Sequence, residues 1–168
     1  ITPNPAIDQF YWVDRINEPE TALLTRATRT LSSPGGKGVN VSVLLHHLGL
    51  ESATMGFVAG YMGHALEHSL HTLKITTNFV WTDGETRTNV VVIVKGMETH
   101  PLEVNADGPP ISEVARERFF KRLSTALKRA EVFMLGGSLP PGLEVGFYPD
   151  LIERTHAAGH RAVLYASG

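Results

Sequence analysis

A glycine-rich turn that runs directly into a helix is the segment best suited to hold an anion. Residues 34–40 read Pro-Gly-Gly-Lys-Gly-Val-Asn. Glycine lets the backbone approach a ligand closely, and a helix N-terminus offers unpaired N–H groups with a partial positive charge. Lys37 adds a cation, and Asn40 can both donate to and accept from hydroxyl groups. Such clusters are more often plain loops, and this spacing matches neither the P-loop nor the dinucleotide-binding fingerprint.

Three further segments carry polar groups that suit a phosphorylated, hydroxyl-rich ligand. Asp8 closes the sequence Asn-Pro-Ala-Ile-Asp and can accept from hydroxyls. Arg87, in Thr-Arg-Thr-Asn, precedes a valine-rich run and could bind a phosphate with two parallel hydrogen bonds. Ser138 lies in a Gly-Gly-Ser-Leu-Pro-Pro-Gly loop after a hydrophobic run, where α/β sheets bind ligands. Taken singly, each is more often a turn or surface residue.

The elements that must position these segments follow from hydrophobic periodicity. Strands are predicted at 10–16, 23–31, 53–58, 88–95, 132–135 and 161–165, and helices at 39–48, 62–73, 113–129 and 147–158. Turns are predicted at 17–20 and 33–36, with Gly49 ending one helix and Ser112 capping another. The alternation predicts an α/β fold with a mainly parallel sheet and helices on both faces. The strands at 10–31 and 88–104 do not alternate with helices and predict a separate, protruding sheet.

Composition excludes several classes of function. The 168 residues fit one domain, and 42% are hydrophobic, enough for a core. The net charge of −2 gives no electrostatic reason to expect nucleic acid or an anionic membrane as partner. The absence of cysteine excludes disulfides, thiolate catalysis and cysteine-bound zinc, and suits a cytoplasmic protein. No run approaches ~20 apolar residues, and no signal-peptide pattern is present.

Three histidines, His64, His68 and His71, share one face of a predicted helix. Three histidines at this spacing could bind a transition metal. No acidic ligand is clearly recruited beside them, so a solvated helix face is the preferred interpretation. No metal site is therefore predicted in this chain.

The four segments, in this order, resemble the PfkB-type, ribokinase-like carbohydrate kinases, nearest to the 1-phosphofructokinase and tagatose-6-phosphate kinase branch. The shared motifs are N-P-x-x-D, G-G-K-G-x-N, T-R-x-N and G-S-L-P-x-G. Residues 103–109 also resemble a T-E-x-N-x-x-G-P segment, and 143–168 resemble the tagatose-6-phosphate kinase branch. The resemblance covers essentially the whole chain. It implies the N-terminal half of a three-layer α/β/α domain, truncated after Gly168, with a β-sheet lid formed by about 10–31 and 88–104.

The resemblance also implies a site. The residues expected to bind a sugar phosphate are Asp8, Arg26, Gly35, Gly36, Lys37, Asn40, Arg87 and Ser138. Arg26 would reach the substrate from the lid, and Lys37 would lie near its phosphate. No catalytic residue is expected, because the G-A-G-D loop of the family, with its base, lies beyond Gly168. The full-length enzyme would use ATP and Mg²⁺, neither bound tightly by this chain, and would dimerise through the lid.

Departures from the family pattern leave alternatives open. Gly136 stands where the family usually has serine, Tyr165 where it commonly has aspartate, and Leu102 where its branch has threonine. The leading hypothesis is ATP-dependent phosphorylation of fructose 1-phosphate, fructose 6-phosphate or tagatose 6-phosphate, with this chain alone inactive. A sugar-phosphate-binding fragment or degenerate homologue without catalysis is the second. A ribose or nucleoside kinase is the third, opposed by Lys37 and Arg87, since an unphosphorylated sugar needs neither.

Overall fold

The structure, a computed structural model, describes residues 1–16 and 24–165. The turn predicted at 17–20 lies outside these residues. Within them the strands are β1 (Ala6–Val13), β2 (Ala27–Gly35), β3 (Ala53–Thr54), β4 (Phe57–Val58), β5 (Thr76–Thr77), β6 (Val80–Trp81), β7 (Arg87–Val94), β8 (Leu102–Val104), β9 (Val132–Gly136) and β10 (Arg161–Tyr165). The helices are α1 (Lys37–His47), α2 (Gly60–Thr72), α3 (Glu113–Ala126) and α4 (Phe147–Ala157).

A four-stranded sheet, in the order β2-β1-β7-β8, forms from the two stretches that do not alternate with helices. β1 pairs with β2 in antiparallel fashion and with β7 in parallel, and β8 pairs antiparallel to β7. Ala6 and Ile7, at the start of β1, are buried in the main body, whereas β8 is exposed along its length. The predicted protruding sheet is therefore present, with its base anchored in the core.

The strand β2 does not have the bounds that the sequence predicted. The prediction ended it at residue 31 and broke the chain at 33–36, but β2 runs on to Gly35. Ile7 pairs with Pro34 and Ala6 with Gly35, so tertiary pairing outweighs the local preference of proline and glycine for a turn. Proline is tolerated because β2 is an edge strand, which needs no hydrogen bond from its outer N–H groups.

The central layer is built from three short parallel pairs, β3–β5, β4–β6 and β9–β10. Residues 1–3 connect them: the Thr2 N–H donates to Met55 O at 2.8 Å, and the Gly136 N–H donates to Ile1 O at 3.1 Å. The strand predicted over 53–58 is split at Gly56, where a Cβ would lie 2.0 Å from the carbonyl oxygen of Thr2. The two-residue strands β5 and β6 escaped prediction because they are too short for any periodicity.

Helices cover both faces of this layer, as predicted. Consecutive strand residues point to opposite faces. Phe57 packs in a cluster with residues of α3 and α4, including Phe119 at 5.1 Å between ring centroids. Val58, the next residue, packs in a second cluster with residues of α1 and α2, including Leu66. The two hydrophobic clusters on either side of the strands define the three-layer α/β/α arrangement.

The helix ends follow local signals closely. Ser112 caps α3, and its Oγ accepts from the Ala115 N–H at 3.2 Å. Gly49 takes a φ of +74° just beyond α1, and its N–H donates to His46 O at 2.9 Å. α3 ends at Ala126, three residues before the predicted end at residue 129, and the chain continues as turns. Among the described residues, none of the helices has the length and apolar character needed to cross a membrane.

Candidate functional site

A cavity of about 490 Å³ opens where the glycine-rich turn, the protruding sheet and the loop after β9 meet. Its wall combines cationic, amide and hydroxyl side chains with exposed backbone of two loops. The lining residues are Asn4, Gly36, Lys37, Asn40, Arg87, Asn89, Asn105, Ala106, Asp107, Gly137, Ser138 and Leu139. Such a wall suits a small ligand that carries both hydroxyl groups and negative charge.

The glycine-rich turn supplies one side of the cavity. Gly36 precedes α1 with a φ of +105°, a left-handed conformation that favours glycine. No side chain caps the helix, so the N–H groups of its first turn keep their partial positive charge. Lys37 and Asn40, one helical turn apart, both line the cavity. The Lys37 Nζ lies 4.9 Å from the centre of the Tyr165 ring.

Arg87 brings the second cation to the cavity from the start of β7. Its Nε donates to Asn4 O at 3.2 Å, and its Nη1 donates to Ala106 O at 3.1 Å. Burial lowers the pKa of Arg87, while the nearby carboxylates of Asp8 and Asp107 act in the opposite direction. The guanidinium remains charged at neutral pH, because the ordinary arginine pKa is far above it. Both acceptors are backbone carbonyl oxygens, which carry no net charge, so these bonds orient the guanidinium without neutralising it.

Asn4 joins three segments of the cavity wall. Its Nδ2 donates to Asp107 O at 2.7 Å and to Ser138 Oγ at 3.1 Å. Asn4 is only 2% exposed, so these bonds are shielded from water and strengthen accordingly. Gly108 leaves room for the Asn4 side chain, because a Cβ at residue 108 would lie 2.2 Å from Asn4 Oδ1.

Tyr148 anchors the loop after β9 from the side of α4. Its hydroxyl donates to Gly137 O at 2.7 Å, and Gly137 itself lines the cavity. Burial raises the pKa of Tyr148 to about 12. The hydroxyl therefore stays protonated and able to donate at any physiological pH.

Asp8 is not among the residues that line the cavity, but its carboxylate contacts one of them. The Asn89 Nδ2 donates to Asp8 Oδ1 at 2.8 Å, and Asn89 lines the cavity. Gly35 gives the carboxylate room, since a Cβ there would lie 2.2 Å from Asp8 Oδ2. In this arrangement Asp8 fixes the orientation of an amide that a ligand would meet.

Comparison with known proteins identifies the family of this chain. Residues 2–167 match the family model described as pfkB family carbohydrate kinase. The chain belongs to the pfkB family of carbohydrate kinases. It is 32% identical over 168 residues to a tagatose-6-phosphate kinase from Staphylococcus epidermidis, matching 100% of this chain and 52% of that protein. The chain thus spans about half the length of the curated relatives it matches.

Solved structures of pfkB-type kinases share the fold. A crystal structure of a possible 1-phosphofructokinase from Thermotoga maritima superposes with a TM-score of 0.89 at 32% identity, over 99% of this chain and 52% of that one. Phosphofructokinase-2 from Escherichia coli, in complex with substrates and products, superposes with a TM-score of 0.83 at 25% identity, over 99% of this chain and 52% of that one. The resemblance to ribokinase-like kinases and the fold class predicted from the sequence are confirmed.

The residues predicted from the pfkB motifs fall into three groups. Gly36, Lys37, Asn40, Arg87 and Ser138 line the cavity. Asp8 and Gly35 support its wall through Asn89. Arg26 is exposed on the segment before β2 and is not among the lining residues. The role of all eight in binding a sugar phosphate stays a prediction.

Three asparagines of the cavity were absent from the predicted set. Asn4 and Asn89 belong to the same N-P-x-x-D and T-R-x-N motifs that singled out Asp8 and Arg87, and Asn105 lies in the segment after β8. The signal was therefore present in the sequence. Asn4 and Asn89 were missed because only the charged member of each of those two motifs was given a role, and Asn105 because no residue of its segment was given one.

The helix histidines lie away from this cavity. The His64 ring lies 4.1 Å from the Trp81 ring, and His71 Nε2 lies 2.8 Å from Thr77 Oγ1. In the described part of the chain, no group of three histidine, aspartate or glutamate side chains could hold a metal ion. A second cavity, of about 430 Å³, lies between β6 and α3 and is lined by none of the residues of the pfkB motifs.

Proposed function

We propose that this chain is the acceptor-binding half of an ATP-dependent kinase that phosphorylates a ketose phosphate. The observation that carries the proposal is the convergence of Lys37 and Arg87 on one cavity with the amides of Asn40, Asn89 and Asn105. Two cations suit a phosphate that the substrate already carries, and amides suit sugar hydroxyls. The names of the relatives, tagatose-6-phosphate kinase and possible 1-phosphofructokinase, agree with fructose or tagatose phosphates as candidates.

The electrostatics of Arg87 favour a phosphorylated substrate over ribose or a nucleoside. Burying a guanidinium costs free energy, which an anionic ligand recovers by pairing with it. The lowered pKa of Arg87 reflects that cost. The carboxylates of Asp8 and Asp107 offset only part of this cost, and an unphosphorylated sugar would offset none of the rest, so the ribose or nucleoside alternative is disfavoured.

The phosphoryl donor is assigned to residues other than those described. The described residues contain no cluster of three side chains able to hold a metal ion, and Tyr165 occupies the position where a family carboxylate was expected. We therefore propose that ATP and Mg²⁺ would bind with residues outside this chain. Tyr165, in the position of that carboxylate, also favours a second candidate, a module that binds sugar phosphate without turnover.

The protruding sheet is the proposed dimer interface. Phe10 pairs with Leu31 on one side and with Val91 on the other, which gives an apolar row across three strands. Leu31 is 45% exposed, so the row is not fully covered within this chain. Association of two sheets would bury it, and sedimentation of the protein and of a Leu31→Lys variant tests this. A wild-type monomer at all concentrations would contradict the interface.

Calorimetry with paired ligands tests the proposed function. The protein is titrated with fructose 6-phosphate, tagatose 6-phosphate and fructose 1-phosphate, and then with fructose and tagatose. We expect binding of at least one phosphorylated sugar and much weaker binding of its unphosphorylated form. Equal affinity for the members of each pair would show that the two cations do not bind a phosphate.

A further inference from the structure

Asn4 contacts three other residues of the cavity wall, each in a different segment of the chain. Its Nδ2 donates to Asp107 O at 2.7 Å and to Ser138 Oγ at 3.1 Å. Its own backbone O accepts from Arg87 Nε at 3.2 Å. All three partners line the cavity. Asn4 therefore connects the start of β7, the segment after β8 and the loop after β9.

The partners of the Asn4 amide fix the direction in which it faces. A backbone carbonyl can only accept, so the atom that faces Asp107 O must be Nδ2, which carries two hydrogens. One hydrogen is donated to Asp107 O and the other to Ser138 Oγ. The residue is only 2% exposed. Both hydrogens are used, and the buried side chain is held in one orientation.

The Ser138 hydroxyl keeps its own proton for the cavity. A serine hydroxyl accepts through its lone pairs and donates one proton. Asn4 Nδ2 occupies the accepting side of Ser138 Oγ, so the proton is directed away from Asn4. Ser138 is exposed and lines the cavity. Its hydroxyl can therefore donate to a ligand while Asn4 holds the oxygen in place.

Asn4 also holds Arg87 through both hydrogen bonds of the guanidinium. The Nε bond ends on Asn4 O itself. The Nη1 bond ends on Ala106 O, which is the carbonyl next to the Asp107 O that accepts from the Asn4 amide. A residue before proline is restricted to extended backbone, so Pro5 helps to fix the direction of Asn4 O. The Nη2 group of Arg87 is used in neither bond and suits an anion.

We propose that Asn4 is a positioning residue that holds Arg87 and the Ser138 hydroxyl as a preformed pair of donors for the phosphate group of the substrate. That the anion is a substrate phosphate rests on the proposed function. Because both donors are oriented before the ligand arrives, binding costs less conformational entropy. Asn4 fulfils this role through its neighbours, without a contact of its own to the phosphate.

Hydrogen exchange measured by nuclear magnetic resonance tests the positioning without any ligand. The Arg87 Nε proton should exchange slowly in the wild type, because Asn4 O accepts it. Asn4→Ala should speed this exchange severalfold, since the segment that holds Nη1 loses its bond to the amide. Asn78→Ala is the matched control, because its amide pairs with Arg122 away from the cavity, and should leave the exchange unchanged. Unchanged exchange in Asn4→Ala would overturn the positioning of Arg87.

Calorimetry with fructose 6-phosphate, inorganic phosphate and fructose tests the consequence for binding. Asn4→Ala should weaken binding of the two phosphate-bearing ligands by about 2- to 12-fold, the effect of one ordinary hydrogen bond, and should change binding of fructose little. Asn78→Ala should bind all three like the wild type. An equal loss for fructose 6-phosphate and fructose would show that Asn4 only maintains the shape of the cavity, and the proposal would be wrong.

A double-mutant cycle tests whether Asn4 acts through Ser138. Ser138→Ala removes the hydroxyl, so Asn4→Ala should cost less affinity for fructose 6-phosphate in that background than in the wild type. Equal costs in the two backgrounds would overturn the role assigned to the hydroxyl. If Asn4→Ala does not fold, Asn4→Ser replaces it in every measurement with the same criteria, because it keeps one hydroxyl donor for the two acceptors.

The outcomes separate this proposal from the proposed function. If the wild type binds inorganic phosphate but no sugar phosphate, the proposed function fails, and the phosphate affinity of Asn4→Ala still decides the positioning role. If the wild type binds no phosphate-bearing ligand, the purpose assigned to Asn4 is wrong as well. Equal affinity of the wild type and Asn4→Ala for fructose 6-phosphate would leave the function standing and overturn the positioning role.

Discussion

Arg87 lines the cavity, and its guanidinium donates two hydrogen bonds to backbone carbonyl groups. Within the described residues it forms no ion pair of 4.0 Å or less; the ion pairs found there are Arg116 with Glu113 and Arg154 with Asp150. Its carbonyl bonds hold the guanidinium in one orientation before any ligand arrives. Preorganised charge of this kind loses little entropy on binding an anion.

Arg87→Ala should therefore weaken binding of the phosphorylated sugar far more than that of its unphosphorylated form. A hydrogen bond to a charged group contributes about 1.5–3 kcal/mol, or roughly 10- to 150-fold in affinity. Calorimetry on the two ligands measures the difference. Arg116→Ala is the matched control, because Arg116 pairs with Glu113 on the exposed face of α3. An equal loss for both sugars would show that Arg87 does not bind the phosphate.

Tyr148 is a second single residue with a testable effect, because its ionisation makes the free energy of unfolding depend on pH. Its pKa is raised by burial from 10.0 to about 12 in the folded protein. Below pH 10 both folded and unfolded states hold the proton, so the full stabilisation is present. As pH rises from about 10 to about 12, the unfolded state loses the proton first, and the free energy of unfolding falls.

Tyr148→Phe should remove this part of the pH dependence. The variant should lose about 1 kcal/mol near neutral pH, because its hydroxyl no longer donates to Gly137 O. Urea unfolding of both proteins from neutral pH to about pH 12 gives the difference, in which other titrating groups cancel. A wild-type curve that stays parallel to that of Tyr148→Phe above pH 10 would contradict the assignment.

At the scale of elements, α3 depends on its N-terminal cap as well as on its buried face. Ala115, Phe119 and Leu123 pack against the central layer, and Ser112 Oγ accepts the Ala115 N–H. Ser112→Ala should lower the free energy of unfolding by about 1 kcal/mol, because that N–H loses its acceptor. Chemical denaturation measures the change.

Ser124→Ala in the same helix is the control for this prediction. Its hydroxyl donates to Phe120 O at 3.0 Å on an exposed surface. Alanine has the higher helix propensity, so this change should be neutral or slightly stabilising. Equal losses of unfolding free energy in Ser112→Ala and Ser124→Ala would mean that the capping hydrogen bond of Ser112 does not stabilise α3.

At the scale of the whole molecule, the proposed function assigns groups of the described residues to the phosphoryl acceptor and none of them to the donor. Phosphoryl transfer depends on positioning and charge stabilisation around the γ-phosphate. We therefore predict no measurable kinase turnover by these 168 residues. A coupled ADP-release assay with fructose and tagatose phosphates tests it, with a complete tagatose-6-phosphate kinase as the positive control. Sugar-dependent turnover well above the blank would reveal a donor site within the chain.

The order of the four motifs and the type of most elements were determined by the sequence alone. Hydrophobic periodicity reports which side of a segment is buried, and this is a local property that each helix and long strand carries in itself. The caps at Ser112 and Gly49 are equally local, since the groups they satisfy lie within a few residues. Five of the twelve residues that line the cavity were predicted from the motifs, namely Gly36, Lys37, Asn40, Arg87 and Ser138.

Only the tertiary structure decided the contacts between segments distant along the chain. Asn4 meets Asp107 and Ser138 across sequence separations of 103 and 134 residues, and no local pattern encodes such a partner. β2 continues through Pro34 because it pairs with β1, against its local preference. Lys37 and Tyr165 adjoin because Gly136 lets two strands close together. Hydrogen bonding and packing between distant segments depend on the whole fold, which periodicity along one segment cannot specify.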